Sequence, residues 1–512
     1  MTLAELAREI RGETEVVGDR AIRVTGVQHD SRHVEPGDMF VVRRGAKHDG
    51  RSFIDAAIER GAVALLAERG LELPAVKLPV LRVANVADGM AFAAAAAYGH
   101  PAFSLDIVGV TGTNGKTTTT HLVRAAIDGA NGAPVTGVVG TVGHTFAGRT
   151  VAAAHTTPES DELARVLAAM RREGATAVAM EVSSIALVLR RVAAVRFRVA
   201  AFTNLTQDHL DFHASMEEYA AAKMELFTTM APGLAVVNVD DPFGAKIAAA
   251  CKCKVLRVRT RPGASTDADV YPESVTMSGD GMRIALRVPG PMSGRVELDT
   301  RLVGAHNVEN LLVALGVVSA LDLDVAQAAA ALAFETGAPG RLERCDGPGD
   351  DVIALVDYAH TPDALARAIE AVRPSAKRVV CVFGCGGDRD PTKRGPMGVA
   401  AAAADLAIVT SDNPRTEDPA AIAAPVEAGV MSAGRKKLTI AAAAAGEAGY
   451  LVELDRKSAI ELAIGLAQPG DVVLVAGKGH EDYQIVGAEK RPFDDRTEAR
   501  RALERRRSRK EA

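Results

Sequence analysis

A glycine-rich segment, Gly112-Thr113-Asn114-Gly115-Lys116-Thr117, combines the residue types that bind the phosphates of a nucleotide. Glycines let backbone N–H groups approach phosphate oxygens, and a helix N-terminus adds positive potential. We predict that Lys116 contacts the outer phosphates and that Thr117 binds Mg²⁺. The strict phosphate-loop motif has another glycine where this chain has Val110, so the match is partial. The alternative interpretation is a glycine-rich turn that precedes an ordinary helix.

Side chains that can bind metal occur further along the chain. Glu181 follows one apolar run, and the segment 203–211, which includes His209, follows another. A lone His or Asp in a loop usually makes only a hydrogen bond, but several such groups in one short segment favour a metal or phosphate site. A site of this kind suits a switch, a kinase, a hydrolase or a ligase.

Short apolar runs precede these polar groups, and a helical pattern follows most of them. Continuous apolar runs of this length are typical of parallel strands that are buried on both faces. Strands that alternate with helices predict open α/β sheets, whose ligands bind beyond the carboxyl ends of the strands. The runs are residues 106–110, 177–180, 199–202, 353–356, 379–383, 406–409 and 472–475.

Length and composition narrow the class of protein. At 512 residues and 53.4 kDa, the chain is long enough for about three domains. Aromatic residues make up 4% of it, Trp is absent and the formal net charge is -5, so we expect no nucleic-acid partner. No run of about 18 apolar residues occurs and the first residues lack the order of a signal peptide, which predicts a cytoplasmic protein without membrane insertion. The five cysteines form no CxxC pair, which favours free thiols.

Proline and glycine suggest two domain boundaries, one near residues 98–101 and one near residues 337–340. The first boundary follows an Ala-rich helical stretch at residues 90–97, and the second follows a helical run at about residues 325–333. The predicted domains are residues 1–100, 101–338 and 339–512.

An ordered set of motifs resembles the Mur ligase family, and the resemblance spans nearly the whole chain. The motifs begin at Asp30-Ser31-Arg32 and continue with the glycine-rich segment, Glu181-Val182-Ser183-Ser184, Thr203-Asn204-Leu205, Asp208-His209-Leu210-Asp211, Gly304, Asn307, Asn310, Pro339-Gly340-Arg341-Leu342-Glu343, Asp357-Tyr358-Ala359-His360-Thr361-Pro362, Gly384-Cys385-Gly386-Gly387-Asp388-Arg389-Asp390, Lys393-Arg394, Asp412-Asn413-Pro414-Arg415 and Gly477-Lys478-Gly479-His480-Glu481. Each motif is modest alone, whereas their order is specific.

The resemblance implies an α/β fold with three domains: a small N-terminal domain that binds a UDP substrate, a central domain with an ATPase-type parallel sheet, and a Rossmann-like C-terminal domain that binds an amino acid. The set is most similar to the branch of the family that uses ATP to add meso-2,6-diaminopimelate to UDP-N-acetylmuramoyl-L-alanyl-D-glutamate in peptidoglycan precursor synthesis. Such an enzyme is expected to act as a monomer with Mg²⁺. Two alternatives stay open: a non-catalytic nucleotide-binding relative, and a ligase resembling folylpolyglutamate synthase.

The resemblance also implies roles for particular residues. Lys223 matches a lysine that the family carbamylates, which turns a cation into an anionic ligand for metal. The implied catalytic residues are Lys116, Glu181, His209 and Lys223, and the implied metal ligands are Thr117, Glu181, His209 and Lys223. The implied ATP contacts are Gly112, Thr113, Asn114, Gly115, Lys116, Thr117, Thr118, Asn307, Asn310, Arg341, Asp357 and His360.

Contacts to the other two substrates are implied in the same way. Those to the UDP-muramoyl dipeptide are Ser31, Ala46, Lys47, His48, His155, Thr156, Thr157, Ser183, Leu189 and Arg191. Those to diaminopimelate are Arg389, Asp412, Asn413, Pro414, Arg415, Gly477 and Glu481. The chain departs from many members of the family at His155, Ile185 and Leu189, and Leu189 lacks the polar side chain that many of them have at this position.

Overall fold

The computed structural model describes residues 1–45, 49–208, 212–263, 267–278, 281–289 and 294–511. Its backbone divides into two compact units. The first comprises Met1–Tyr271, Arg287–Arg295 and Asn310–Ala329, and the second comprises Pro272–Leu286, Val296–Glu309 and Ala330–Ala512.

The N-terminal part of the first unit is a five-stranded sheet in the order β1-β5-β4-β3-β2, parallel except at β1. A cluster of buried apolar side chains lies on each face of it. The elements are α1 (Leu3–Glu9), β1 (Thr14–Val17), β2 (Gly26–Gln28), β3 (Asp38–Val42), α2 (Ile54–Glu59), β4 (Ala64–Glu68), β5 (Val80–Val83) and the Ala-rich α3 (Val86–Ala97).

The next part of the first unit is an eight-stranded sheet in the order β13-β12-β11-β6-β10-β7-β8-β9. It consists of β6 (Asp106–Thr111), α4 (Lys116–Asn131), β7 (Thr136–Gly140), β8 (Gly143–Phe146), β9 (Arg149–Val151), α5 (Ser160–Arg172), β10 (Ala177–Glu181), α6 (Ser184–Val188), β11 (Val199–Phe202), α7 (Met216–Met224), β12 (Leu234–Asn238), α8 (Pro242–Ala250) and β13 (Lys254–Val258). The strand order reverses at β6, and ligands of open α/β sheets bind at such a point.

Two helices and a three-stranded sheet follow. The sheet has the order β14-β15-β16. These elements are β14 (Tyr271–Ser278), β15 (Gly281–Val288), β16 (Gly294–Thr300), α9 (Ala305–Ala320) and α10 (Val325–Leu332).

The C-terminal part of the second unit is a six-stranded sheet in the order β17-β18-β22-β19-β20-β21, with a separate hairpin of β23 and β24. Its elements are β17 (Glu343–Arg344), β18 (Ile353–Asp357), α11 (Pro362–Val372), β19 (Val379–Cys385), α12 (Arg394–Ala401), β20 (Leu406–Ser411), α13 (Pro419–Ser432), α14 (Ile440–Ala444), β21 (Gly449–Val452), α15 (Arg456–Leu466), β22 (Val472–Ala476), β23 (Tyr483–Val486), β24 (Glu489–Pro492) and α16 (Asp495–Glu511).

The predicted α/β class is confirmed, and each predicted apolar run lies in a buried strand. The large sheets are not wholly parallel, because β8, β9 and β17 pair antiparallel at their edges.

The domain bounds at residues 100 and 338 stay predictions. All five cysteines are free thiols. Among the described residues, no helix has the length and apolar character needed to cross a membrane.

Candidate active site

The glycine-rich segment joins the carboxyl end of β6 to the N-terminus of α4. Gly115 is the N-cap of α4 and has φ 83°, a left-handed conformation that suits glycine. A Cβ at Gly112 would lie 1.9 Å from Thr203 Oγ1, so a side chain does not fit there. Lys116 Nζ donates to the carbonyls of Gly112 and Thr113, at 2.9 Å each. The ammonium therefore lies over the loop that is predicted to hold phosphates.

Residues that follow β11 hold this loop in place. Thr203 Oγ1 donates to Asn114 O at 2.7 Å, and the backbone N–H of Asn114 donates to Asn204 Oδ1 at 2.9 Å. Thr113 Oγ1 lies 3.1 Å from the hydroxyl of Tyr219, a buried residue that the sequence did not single out. The loop is thus held by residues that follow the neighbouring strand β11 and by Tyr219 of α7.

The predicted metal ligands Thr117 and Glu181 are in contact. Thr117 Oγ1 donates to Glu181 Oε2 at 2.9 Å, and Glu181 Oε1 accepts from the backbone N–H of Thr141 at 2.7 Å. Glu181 is the last residue of β10, next to β6, so parallel pairing brings its carboxylate to the start of α4. Two oxygen donors on neighbouring elements fit the preference of Mg²⁺ for hard ligands.

Lys223 lies at the same loop. Its side chain is buried, its Nζ donates to Gly112 O at 2.9 Å, and the ammonium lies 4.4 Å from the centre of the Tyr219 ring. Burial and the nearby charge of Lys116 hold the pKa of Lys223 well below its usual value. A buried amine with a lowered pKa is more readily neutral, and a neutral amine is the form that reacts with CO₂.

The other predicted ATP and metal residues have separate placements. Asn310 Oδ1 accepts from Thr119 Oγ1 at 3.1 Å, and Thr118 is buried in α4. The predicted ligand His209 lies outside the described residues. Among the residues that the structure does describe, no cluster of three or more His, Cys, Asp or Glu side chains could hold a metal ion.

Three predicted ATP residues of the second unit, Arg341, Asp357 and His360, lie around the carboxyl end of β18. Asp357 accepts from the backbone N–H groups of Leu342 and Ala359, at 2.7 and 2.8 Å. Burial raises the pKa of Asp357, an effect that the charge of Arg341 and these two N–H groups reduce. The Arg341 guanidinium lies 5.0 Å from the centre of the Tyr358 ring. His360 is exposed, and Asn307 donates to Val303 O at 2.8 Å.

Most of the predicted UDP-muramoyl contacts in the central sheet surround the end of β10. Thr156 and Thr141 share a hydrogen bond of 3.1 Å between their hydroxyls. Thr157 Oγ1 donates to Glu181 O at 2.8 Å and accepts from the backbone N–H of Ser183, the N-cap of α6, at 3.1 Å. Arg191 Nη1 donates to Thr157 O at 3.0 Å. These predicted contacts therefore form one hydrogen-bonded group.

Other predicted UDP-muramoyl contacts are less enclosed or lie elsewhere. His155 is exposed, and Leu189 is an exposed apolar residue at the C-cap of α6. Ser31 is buried in a 3₁₀ turn after β2. The predicted loop residues Ala46, Lys47 and His48 lie outside the described residues.

The predicted diaminopimelate contacts lie in loops at the carboxyl ends of β19, β20 and β22, which are the same edge of the C-terminal sheet. Asn413 Nδ2 donates to Glu481 Oε2 at 3.0 Å, which joins two of these loops.

Arg415 is half-buried, has φ 51° after Pro414, and donates from Nη1 to Gly387 O at 2.6 Å. Arg389 is exposed. Gly477 has φ 119°.

Lys478 is the residue at this edge that sequence analysis missed, although it lies inside the motif that carried the resemblance. Its side chain is 0% exposed. The ammonium lies 3.1 Å from Asn413 Oδ1, 3.1 Å from Glu481 Oε2 and 3.4 Å from Asp412 Oδ1. One buried cation therefore organises the loops after β20 and β22.

Comparison with known families matches most of the chain. The family model described as the Mur ligase middle domain matches residues 110–318. The Mur ligase glutamate ligase domain matches residues 340–479, and the Mur ligase family catalytic domain matches residues 23–98.

Individual relatives cover almost the full length. The chain is 45% identical over 512 residues to the UDP-N-acetylmuramoyl-L-alanyl-D-glutamate–2,6-diaminopimelate ligase of Gloeobacter violaceus, covering 99% of each chain. It is 42% identical to the enzyme of the same name from Streptomyces coelicolor, covering 98% of this chain and 96% of that one.

Solved structures agree with this relationship. A structure of a UDP-N-acetylmuramoyl-L-alanyl-D-glutamate–2,6-diaminopimelate ligase matches with a TM-score of 0.70 at 30% identity, covering 99% of both chains. The MurF ligase of Thermotoga maritima in complex with ADP shares the fold, with a TM-score of 0.58 at 19% identity over 96% of this chain and 100% of that one. By its sequence over nearly its full length, the chain belongs to the Mur ligase family.

Proposed function

We propose that the protein is an ATP-dependent ligase that adds meso-2,6-diaminopimelate to UDP-N-acetylmuramoyl-L-alanyl-D-glutamate, a step of peptidoglycan precursor synthesis in the cytoplasm, where ATP is available. The observation that carries this proposal is the group formed by Lys116, Lys223, Thr117 and Glu181 at one phosphate loop. The names of the relatives at 42–45% identity support the choice of substrates.

The proposed reaction explains why a lysine cation and metal-binding groups lie at one loop. A free carboxylate is a poor electrophile, so transfer of the γ-phosphate from ATP first makes an acyl phosphate. The neutral amine of the amino acid then attacks the acyl carbon, phosphate leaves, and the new amide nitrogen loses a proton. Positioning and neutralisation of crowded anions supply most of the catalysis in such transfers. Lys116 can turn from the loop carbonyls to the outer phosphates when ATP binds.

The residues present fit a divalent cation. Thr117 Oγ1 and Glu181 Oε2 are oxygen donors in contact, and we propose that they hold Mg²⁺ together with His209 and a carbamylated Lys223. Bound Mg²⁺ would offset the charge of the phosphates. In the carbamylation, the neutral Lys223 amine forms an N–C bond to CO₂ and loses a proton, which leaves an anionic oxygen ligand in place of a cation.

Selection of the amino acid is assigned to the loops after β19, β20 and β22. Diaminopimelate differs from lysine by a carboxylate at the far end of its side chain. A guanidinium can bind a carboxylate with two parallel hydrogen bonds, and Arg415 is stiffened by Pro414 and by its bond to Gly387 O. We propose that Arg415 binds this distal carboxylate and that Arg389 contacts the other one.

Phosphate release from ATP tests the proposal, with the UDP-muramoyl dipeptide and one amino acid at a time. We expect meso-diaminopimelate to be preferred over L-lysine by at least about thirtyfold in kcat/KM, the low end for an unpaired desolvated charge, because Arg415 is only half-buried. Arg415→Ala should lose most of this preference. Arg367→Ala, at an exposed arginine of α11, is the matched control.

The outcomes separate the alternatives. Equal use of L-lysine by the wild-type enzyme would contradict the role of Arg415. No phosphate release with any amino acid would favour a non-catalytic nucleotide-binding protein. Release with a folate substrate but not with the UDP-muramoyl dipeptide would favour a ligase resembling folylpolyglutamate synthase.

A further inference from the structure

Two carboxylates at the start of α5 face partners that are distant in the chain. Glu159 is the N-cap of α5 but makes no side-chain capping hydrogen bond, and Asp161 lies in the first turn. The side chain of Glu159 is 9% exposed and that of Asp161 is 0% exposed. Burial of a carboxylate is costly unless it is paired, so these two groups need cationic or hydrogen-bonding partners.

Glu159 bridges two arginines. Its Oε2 accepts from Arg43 Nη1 at 2.9 Å, and its Oε1 lies 2.7 Å from Arg191 Nη2. Arg43 immediately follows β3 of the N-terminal sheet, whereas Arg191 lies beyond α6 in the central part. One carboxylate therefore ties the N-terminal sheet to a predicted contact of the UDP-muramoyl dipeptide.

Asp161 makes a second tie, to the end of β2. Its Oδ2 accepts from the backbone N–H of His29 at 2.9 Å, and His29 Nδ1 lies 2.8 Å from the same atom. Burial alone would lower the pKa of His29, but the hydrogen bond and charge of Asp161 outweigh it and raise that pKa. His29 and Arg43 follow two parallel neighbouring strands, so both ties hold the same edge of the N-terminal sheet.

The two tied segments are those that carry predicted uridine-side contacts. Ser31 lies two residues after His29, and the segment 46–48 follows Arg43. On the central side, Arg191 uses Nη1 for Thr157 O and Nη2 for Glu159. The Nε–H of Arg191 is buried and has no hydrogen-bond partner among the described residues. The bonds from Nη1 and Nη2 fix the guanidinium, and its Nε–H is left to bind another ligand.

We infer that Glu159 and Asp161 are positioning residues for the UDP-muramoyl dipeptide: Glu159 orients Arg191 and, together with Asp161, holds the N-terminal sheet against the central part so that both ends of the substrate are bound at once. This inference rests on the proposed function for the identity of the substrate. The partners of the two carboxylates are Arg43, Arg191 and His29, so we expect their effect to fall on binding of this substrate and not on binding of ATP.

Binding of the UDP-muramoyl dipeptide, measured by calorimetry without ATP, tests the inference on the full chain. Glu159→Gln keeps the shape of the side chain but removes the charge that the two arginines share. We expect Kd and KM for this substrate to rise about tenfold or more, the range for losing a charge-assisted hydrogen bond, with KM for ATP and for diaminopimelate within about twofold of wild type.

Two other variants control the experiment. Glu162→Gln changes the same residue type in the same helical turn, but Glu162 faces His144 at 3.8 Å, so it should bind the substrate like wild type. Arg43→Met removes one of the two arginines that Glu159 bridges. Because Arg43 is partly exposed, we expect this variant to fold, so it tests the inference even if Glu159→Gln does not fold. In the double variant Arg43→Met/Glu159→Gln, the two effects on Kd should not add, because both changes break one bridge.

Failure of the proposed function and failure of this inference would give different results. If the wild-type protein does not bind the UDP-muramoyl dipeptide, the proposed function is wrong. If it does bind, and the Glu159→Gln and Arg43→Met variants bind it as tightly while only their melting temperature falls, the carboxylate is structural and the inference is overturned.

Discussion

Replacement of Lys478 by methionine removes the only ammonium that the described residues place between Asp412, Asn413 and Glu481. Methionine has a similar length, so the change deletes the charge more than the volume. Breaking a buried ion pair by removing one partner costs about 3–5 kcal/mol in unfolding free energy. The carboxylate side chains are 14% and 20% exposed, so water screens part of the loss and we expect about 3 kcal/mol, the low end of that range.

The same change should alter binding of the amino acid. Without the ammonium, the repulsion between Asp412 and Glu481 is no longer offset and Asn413 loses its bond with Lys478, so the loops after β20 and β22 are held together by fewer contacts. We expect KM for diaminopimelate to rise at least about tenfold, the effect of losing one hydrogen bond to a charged group, and KM for ATP to stay within about twofold.

Denaturant unfolding and steady-state phosphate release measure these two effects. Lys490→Met is the matched control, because Lys490 is an exposed lysine whose ammonium lies 3.8 Å from the centre of the neighbouring Tyr483 ring. An unfolding free energy and a KM for diaminopimelate equal to those of Lys490→Met would refute the assigned role of Lys478.

Three further predictions concern the first unit. Lys116→Ala should lower phosphate release by about a hundred- to a thousandfold without unfolding the protein, and near-normal release would mean that this loop is not the ATP site. Lys223→Ala should be nearly inactive and partly rescued by formate or acetate, with bicarbonate aiding only the wild type; full activity without any added carboxylate would contradict carbamylation. The pKa of His29 is raised, so stability from its pair with Asp161 is present below about pH 6.5 and lost as the pH rises through the folded-state pKa. The melting temperatures of wild type and His29→Gln should therefore differ more at pH 6 than at pH 9. The same difference at both pH values would contradict the stabilising role of the His29–Asp161 pair.

Local patterns were sufficient to predict seven buried strands (β6, β10, β11, β18, β19, β20 and β22) and the glycine-rich turn between β6 and α4. A buried parallel strand is apolar along its whole length, so runs such as residues 177–180 and 472–475 can be recognised as strands from their composition alone. The turn at Gly112–Thr117 was predicted in the same way, because a strand, a glycine-rich turn and the start of a helix follow one another directly in the chain. The other strands were not predicted, among them the antiparallel edge strands β8, β9 and β17, which are short and partly exposed or only two residues long.

The partners of the buried charges were decided by the tertiary structure. Lys223 and Gly112 are 111 residues apart, and residues 220–224 (AAAKM) by themselves are typical of a solvated helix. Glu159 reaches Arg43 across 116 residues, a pairing that no local pattern predicts. The sequence by itself therefore determined that seven buried segments are strands and that a glycine-rich turn follows β6, because those properties depend on neighbours in the chain. Only the tertiary structure decided which lysine, glutamate or arginine is buried against which partner, because strand pairing and the packing of helices on the sheets bring residues that are distant in the chain together.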